Sequence, residues 1–112
     1  MAQSNPPFMS GVPELLVLQL LAQREMYGYQ LVRQIRLVTG EGISLGEGVV
    51  YPALHALERS GALASKRKPV KGRTRVYYRV TAKGRKRLAE LTGEWERINS
   101  GIRAAMAETA SA

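Results

Sequence analysis

Residues 66–87 read KRKPVKGRTRVYYRVTAKGRKR, a run of eleven Lys or Arg with no Asp or Glu. Runs of charge are ordinarily solvated surface or disordered tail. This one contains RVYYRV, and Val and Tyr favour strands. Self-repulsion also works against a compact run of like charge. A strand places successive side chains on opposite faces, so Val76, Tyr78 and Val80 share one face and Arg75, Tyr77 and Arg79 the other. With ALASKRK (62–68) as its mate and PVKG (69–72) as its tip, the run predicts a β-hairpin. One face of that hairpin must lie on an apolar layer. The other is cationic, and a folded cationic ribbon favours a polyanion as partner, nucleic acid above all.

The rest of the chain has to supply the apolar layer. With 112 residues and 45% hydrophobic content it is expected to form one globular domain. Its net charge of +8 is consistent with a nucleic acid or an anionic surface as partner. The absence of cysteine removes disulfide and thiolate chemistry and fits a cytoplasmic location. The longest apolar run, LLVLQLLA at 15–22, is too short to span a bilayer, and its flanks lack a signal-peptide pattern. Residues 1–10, with Pro6-Pro7, read as a flexible arm.

Pro13 and Glu14 suit a first helical turn, and the helix they open is expected to run to about Arg24, apolar around much of its circumference. A second helix is expected from near Tyr27 to just before Gly40, with Leu31, Ile35 and Val38 on one face and Arg33 and Arg36 away from it. The segment 40–48 is turn-rich, with a short extended piece at Ile43 to Leu45. In VVYPALHALERSG a third helix is carried by Val50, Ala53, Leu54 and Leu57 and stopped by Gly61. Pro52 would cost about 3 kcal/mol in a helix interior. The helix therefore starts near Gly48 or has a loosened first turn.

Thr81 can cap a last helix expected from Ala82 to about Ala107. Leu88, Leu91, Trp95, Ile98, Ile102 and Met106 follow one another at intervals of 3, 4, 3, 4 and 4, a narrow stripe of coiled-coil type. Four aliphatic side chains of that stripe, fully buried, would contribute roughly 6–12 kcal/mol at most. So small a chain has little spare surface to cover them, and the same helix of a second copy is the most direct partner.

Three helices, a two-stranded ribbon and a long helix make a mainly α chain. Its expected parts are a flexible arm over 1–10, a winged helix-turn-helix DNA-binding domain over 11–81, and a C-terminal dimerisation helix with a frayed end over 82–112. In such a fold the third helix enters a major groove of double-stranded DNA and the hairpin, or wing, lies against phosphates. Lys71, Arg73 and Arg75 crown the wing as phosphate contacts. His55 and Arg59 follow Tyr51 at one-turn intervals, so the three share a face that either meets the groove or is simply exposed and polar. A lone His with no Cys or Asp in the chain is a poor metal site. Nine scattered Glu, one His and no phosphate-binding Gly loop exclude the common catalytic constellations, so neither an enzyme nor a cofactor is expected. Two other functions compete with DNA binding: a basic RNA-associated protein, which would favour exposed aromatics, and a winged-helix protein-interaction module, which would not need a basic wing.

Three motifs in order, YGYQL (27–31), VVYPALHALERSGAL (49–63) and RVYYRVTAKGRKRL (75–88), give the chain its resemblance to PadR-like transcriptional regulators over about residues 14–106. Its single C-terminal helix is similar to the smaller members of that family. The resemblance implies a homodimeric repressor acting on an inverted repeat, with the last helix packed on its mate and on the first helix. It also assigns Tyr51 to DNA contact. Trp95 is either a core aromatic at the dimer seam or, as the resemblance implies, a stacking platform for a small aromatic effector. Leu88, Leu91, Ile98, Asn99 and Ile102 share that interface, Asn99 as a hydrogen-bonding group, with Glu94 and Glu96 flanking it. The family's usual Ser-x-Gly-Thr start to the third helix is Gly46-Glu47-Gly48-Val49 here, and the position before Tyr77-Tyr78-Arg79, commonly basic, is Val76.

Overall fold

The computed structural model describes residues 10–111. The arm expected over 1–10 lies outside the described residues except for Ser10, as does Ala112 at the expected frayed end. Four helices and a small sheet follow in the order α1 (Val12–Gln23), β1 (Met26–Tyr27), α2 (Gly28–Val38), α3 (Glu47–Arg59), β2 (Leu63–Val70), β3 (Arg73–Val80) and α4 (Ala82–Ser111).

Three amphipathic surfaces close the core. Val17, Leu18 and Leu21 of α1 meet Leu31 and Ile35 of α2, Val50, Leu54 and Leu57 of α3, and Tyr78 and Val80 of β3. Val38, expected on the inner face of α2, is instead exposed in the last helical turn. Leu45 takes up core space from the connector before α3 and is completely covered. α3 begins at Glu47, so Pro52 lies at its sixth position and the helix continues through it. The bond Pro52 cannot donate would end on Gly48, which is exposed and open to water.

The wing pairs Leu63 with Val80 through to Val70 with Arg73. Its tip is therefore Lys71-Gly72 alone, two residues rather than the four expected. Both have positive φ, 49° and 78°. That is the type I′ geometry whose twist matches flanking strands, and glycine at its second position meets the turn's demand without strain. Pro69 thereby falls within β2, opposite Thr74, in an edge strand where its missing N–H faces away from the ladder. The sheet has one more strand than the sequence suggested. Met26 pairs with Tyr78 and Tyr27 with Tyr77, so β1 completes a three-stranded antiparallel sheet in the order β1-β3-β2.

α4 leaves the sheet through a fixed joint. Gly84 N–H donates to Thr81 Oγ1 at 3.1 Å, and Thr81 N–H donates to Ala62 O at 3.0 Å. A Cβ on Gly84 would stand 2.1 Å from Ala62 O, so only glycine lets the first turn of α4 sit on the α3–β2 turn. An ion pair from Arg87 Nη2 to Glu14 Oε1 at 2.9 Å then ties α4 to the first turn of α1. From there α4, 30 residues and about 45 Å long, projects beyond the winged core and ends four residues later than expected.

Candidate nucleic-acid interface

α3 and the wing flank one cleft, lined by Tyr27, Gly28, Tyr51, His55, Thr74, Arg75, Val76 and Tyr78. Tyr51 is half-buried. Its phenol lies so close over Gly28 that a Cβ there would meet the ring at 2.6 Å. Burial first, and the Glu47 carboxylate second, pushes the phenol above its ordinary value of 10.0. Tyr51 is therefore protonated at neutral pH and can donate a hydrogen bond. His55 is exposed one turn further on, with its ring centroid 6.4 Å from that of Tyr51. Arg59 is exposed in the last turn of α3.

On the wing, Lys71 and Arg73 are exposed at and beside the turn. Arg75 is only half exposed, because its guanidinium carbon sits 4.3 Å from the centroid of the Tyr27 ring. Tyr77 is half-buried as well. Tyr27 meets it edge-on at 5.5 Å, and Lys68 Nζ lies 4.7 Å from its centroid. Lys68 also forms an ion pair with Glu25. The structure thus brings Tyr51, His55 and Arg75 to one cleft and leaves Lys71 and Arg73 at the wing tip. Tyr27 and Gly28, which shape the cleft, went unrecognised in the sequence. Their only sequence signal is their place in YGYQL, which reads as the start of a helix.

A second site lies on α4. Leu88 and Leu91 are half-buried against the core. Trp95, Ile98, Ile102 and Met106 are 52%, 51%, 55% and 66% exposed. Between them and the start of α1 runs an open groove of about 290 Å³. Leu91, Trp95, Ile98, Asn99 and Ile102 line it with Val12 and Leu15; Glu94 reaches it, whereas Leu88 and Glu96 are not among its lining residues. Among the described residues no cluster of His or carboxylates has metal-site geometry, and no helix is long and apolar enough to cross a membrane.

A recognition helix beside a basic antiparallel wing, on a three-helix core, defines a winged-helix DNA-binding protein. The sequence model of the transcriptional regulator PadR-like family matches residues 17–90, and the chain belongs to that family. It is 35% identical over 83 residues to the transcriptional regulator Rv3488 of Mycobacterium tuberculosis, covering 74% of this chain and 75% of that protein. Among solved structures it is similar to a transcriptional regulator from Clostridium thermocellum, at 30% identity and TM-score 0.82 over 88% of this chain and 96% of the other. It is also similar to a PadR family regulator from Eggerthella lenta, at 31% identity and TM-score 0.75 over 87% and 83%. Proteins of this family are DNA-binding transcriptional regulators and not enzymes.

Proposed function

We propose that the chain is a cytoplasmic homodimeric repressor that pairs through α4 and sets two copies of α3 and the wing on an inverted repeat. The observation that carries this reading is the half-exposed stripe Trp95, Ile98, Ile102 and Met106 on a helix that outruns its own core. An isologous pairing of two such helices covers both stripes at once and imposes a two-fold axis. Two recognition helices related by that axis suit half-sites about one helical turn apart. Tyr51, His55 and Arg59 then face bases and phosphates in the groove, and Lys71, Arg73 and Arg75 contact phosphates. The RNA alternative finds little support, since the one aromatic on the outer face of the hairpin, Tyr77, is covered by Tyr27 and Lys68.

Sedimentation at micromolar concentration tests the architecture, with about twice 12.3 kDa expected and a monomer overturning it. Titration with duplex DNA at several salt concentrations tests the partner. With about six phosphates neutralised per dimer, log K should fall against log salt with a slope near about −5.

The groove beside Trp95 favours a second element of this reading, relief of repression by a flat aromatic effector. Its lining is mostly apolar with a few polar groups, the usual character of a small-molecule site. Asn99 supplies a hydrogen-bonding group and Glu94 a negative charge suited to a cationic guest. Such a ligand releases DNA only if it binds the two geometries of the dimer unequally. Quenching of Trp95 fluorescence by planar cationic dyes, with parallel loss of DNA binding, is the expected result. No quenching across a broad panel would leave Trp95 as a seam residue.

A further inference from the structure

We propose that the cleft between α3 and the wing seats one phosphate of the DNA backbone, and that Tyr27 is the positioning residue that holds Arg75 there. This rests on the DNA-binding reading above and adds a residue to it.

Arg75 and Lys68 are direct cross-strand partners, so two like charges share one face of the wing, an arrangement that destabilises a sheet. The molecule resolves it in two different ways. Lys68 is ion-paired with Glu25. Among the described residues no carboxylate pairs with Arg75; its guanidinium rests on the Tyr27 ring. The ring is neutral. It takes one face of the guanidinium and leaves the charge and the N–H edge free for another ligand. Lys68 thus already has a carboxylate partner within the chain, whereas Arg75 rests on a neutral ring.

Tyr27 is itself well held. It pairs with Tyr77 in the sheet, meets the Tyr77 ring edge-on, and precedes the Gly28 on which Tyr51 lies. Arg75, Tyr51 and His55 all line the resulting notch with Tyr27, and no carboxylate residue does. Glu47, in the first turn of α3, acts on the Tyr51 phenol. Such a donor set suits a phosphodiester, which a planar guanidinium can grip through two N–H groups. The notch sits between the two elements that hold DNA, where a phosphate contact sets register without reading sequence. An arginine already ordered on a ring gives up less rotamer freedom on binding than a free one.

The test is duplex binding by the full-length chain, with matched and random sequences, over a salt series. Arg75→Ala is expected to weaken both sequences about tenfold and to flatten the salt slope by about 0.9 for each copy bound. Tyr27→Phe, which keeps the ring, should weaken binding less than Tyr27→Leu. Tyr27→Leu should weaken binding roughly 3- to 10-fold, the scale of a partly desolvated cation–π contact, and should have no further effect in an Arg75→Ala background. Arg75→Lys reaches the same contact from its other side if Tyr27→Leu fails to fold. It should keep the salt slope and lose affinity severalfold. Unchanged binding by Tyr27→Leu or Arg75→Lys, or a Tyr27→Leu loss that adds fully to that of Arg75→Ala, overturns the proposal while DNA binding by the unsubstituted chain stands. Failure of that chain to bind any duplex removes the DNA-binding reading and the proposal together.

Discussion

The winged half of the chain and the far half of α4 both carry apolar side chains at regular helical spacing, yet only the first covers them itself. Val17, Leu18, Ile35, Val50 and Leu54 are wholly shielded, each by a neighbouring element of the same chain. From Trp95 onward the stripe on α4 meets only the first turns of α1 on one side and stays half exposed. Periodicity states which side chains need cover and not who supplies it. In one half the supplier is the chain's own fold; in the other, on the reading above, it is a second copy.

That contrast can be broken most strongly from the core side. Leu54→Ala should cost about 2–5 kcal/mol of stability, because the cavity it leaves is enclosed on all sides. Chemical denaturation at one fixed protein concentration would show it. Ile102→Glu should do the reverse. It should leave the winged core folded, with the circular dichroism of its helices retained, while weakening self-association by about 2 kcal/mol or more, as expected for a central apolar interface residue. Sedimentation across a dilution series separates the two outcomes. If Ile102→Glu destabilises the winged core as Leu54→Ala does, the two halves are one cooperative unit and the contrast fails.

The joint between the halves predicts a smaller effect. Gly84→Ala places a methyl group against Ala62 O, in backbone that cannot give way without shifting the start of α4 or the α3–β2 turn. Overpacking of this kind costs about 1–3 kcal/mol. Gly93→Ala is the control. That glycine lies in open space, and the change should stabilise α4 by roughly 1 kcal/mol through helix propensity alone. Thermal melts of the two variants should move in opposite directions.

The same joint marks the boundary of what the sequence discloses. Helices α1, α3 and α4, the two faces of β3 and the Thr81 cap were legible because each leaves a periodic or capping signature over several residues. β1 was not, since two residues carry no period, and its Tyr27 with the following Gly28 resembles a helix start. The burial of Leu45 was hidden by the turn-rich composition around it. Gly84 read as one more glycine among eleven, because close approach of two backbones has no local signal. At the candidate site the basic residues were plain, but their unequal status was not. Arg75 resting on Tyr27 and Lys68 paired with Glu25 are contacts across 48 and 43 positions of sequence, set by the sheet register rather than by neighbours. Composition counts both as positive charge and cannot tell which one has a carboxylate partner.

The smallest predicted effect concerns the tie between α1 and α4. Hydrogen bonding to Glu14, reinforced by its charge, raises the Arg87 guanidinium above its ordinary value, so the arginine remains charged throughout the accessible pH range. Both side chains are substantially exposed, at 43% and 32%, and water and salt screen the pair. Glu14→Gln should therefore cost at most about 1 kcal/mol. Part of that loss reflects the position of Glu14 in the first turn of α1, where a negative charge complements the helix dipole. A double-mutant cycle with Arg87→Met separates the two contributions, because the dipole interaction survives removal of the arginine and the ion pair does not. The coupling should be visible at about 0.05 M salt and nearly lost at about 1 M, where the screening length falls to about 3 Å. A coupling that persists at high salt would mean that the pair holds α4 to α1 through packing of the arginine stem rather than through charge. In that case the angle of the long helix to the winged core is fixed sterically, by Gly84 and by that stem, and changes in ionic strength should not move it.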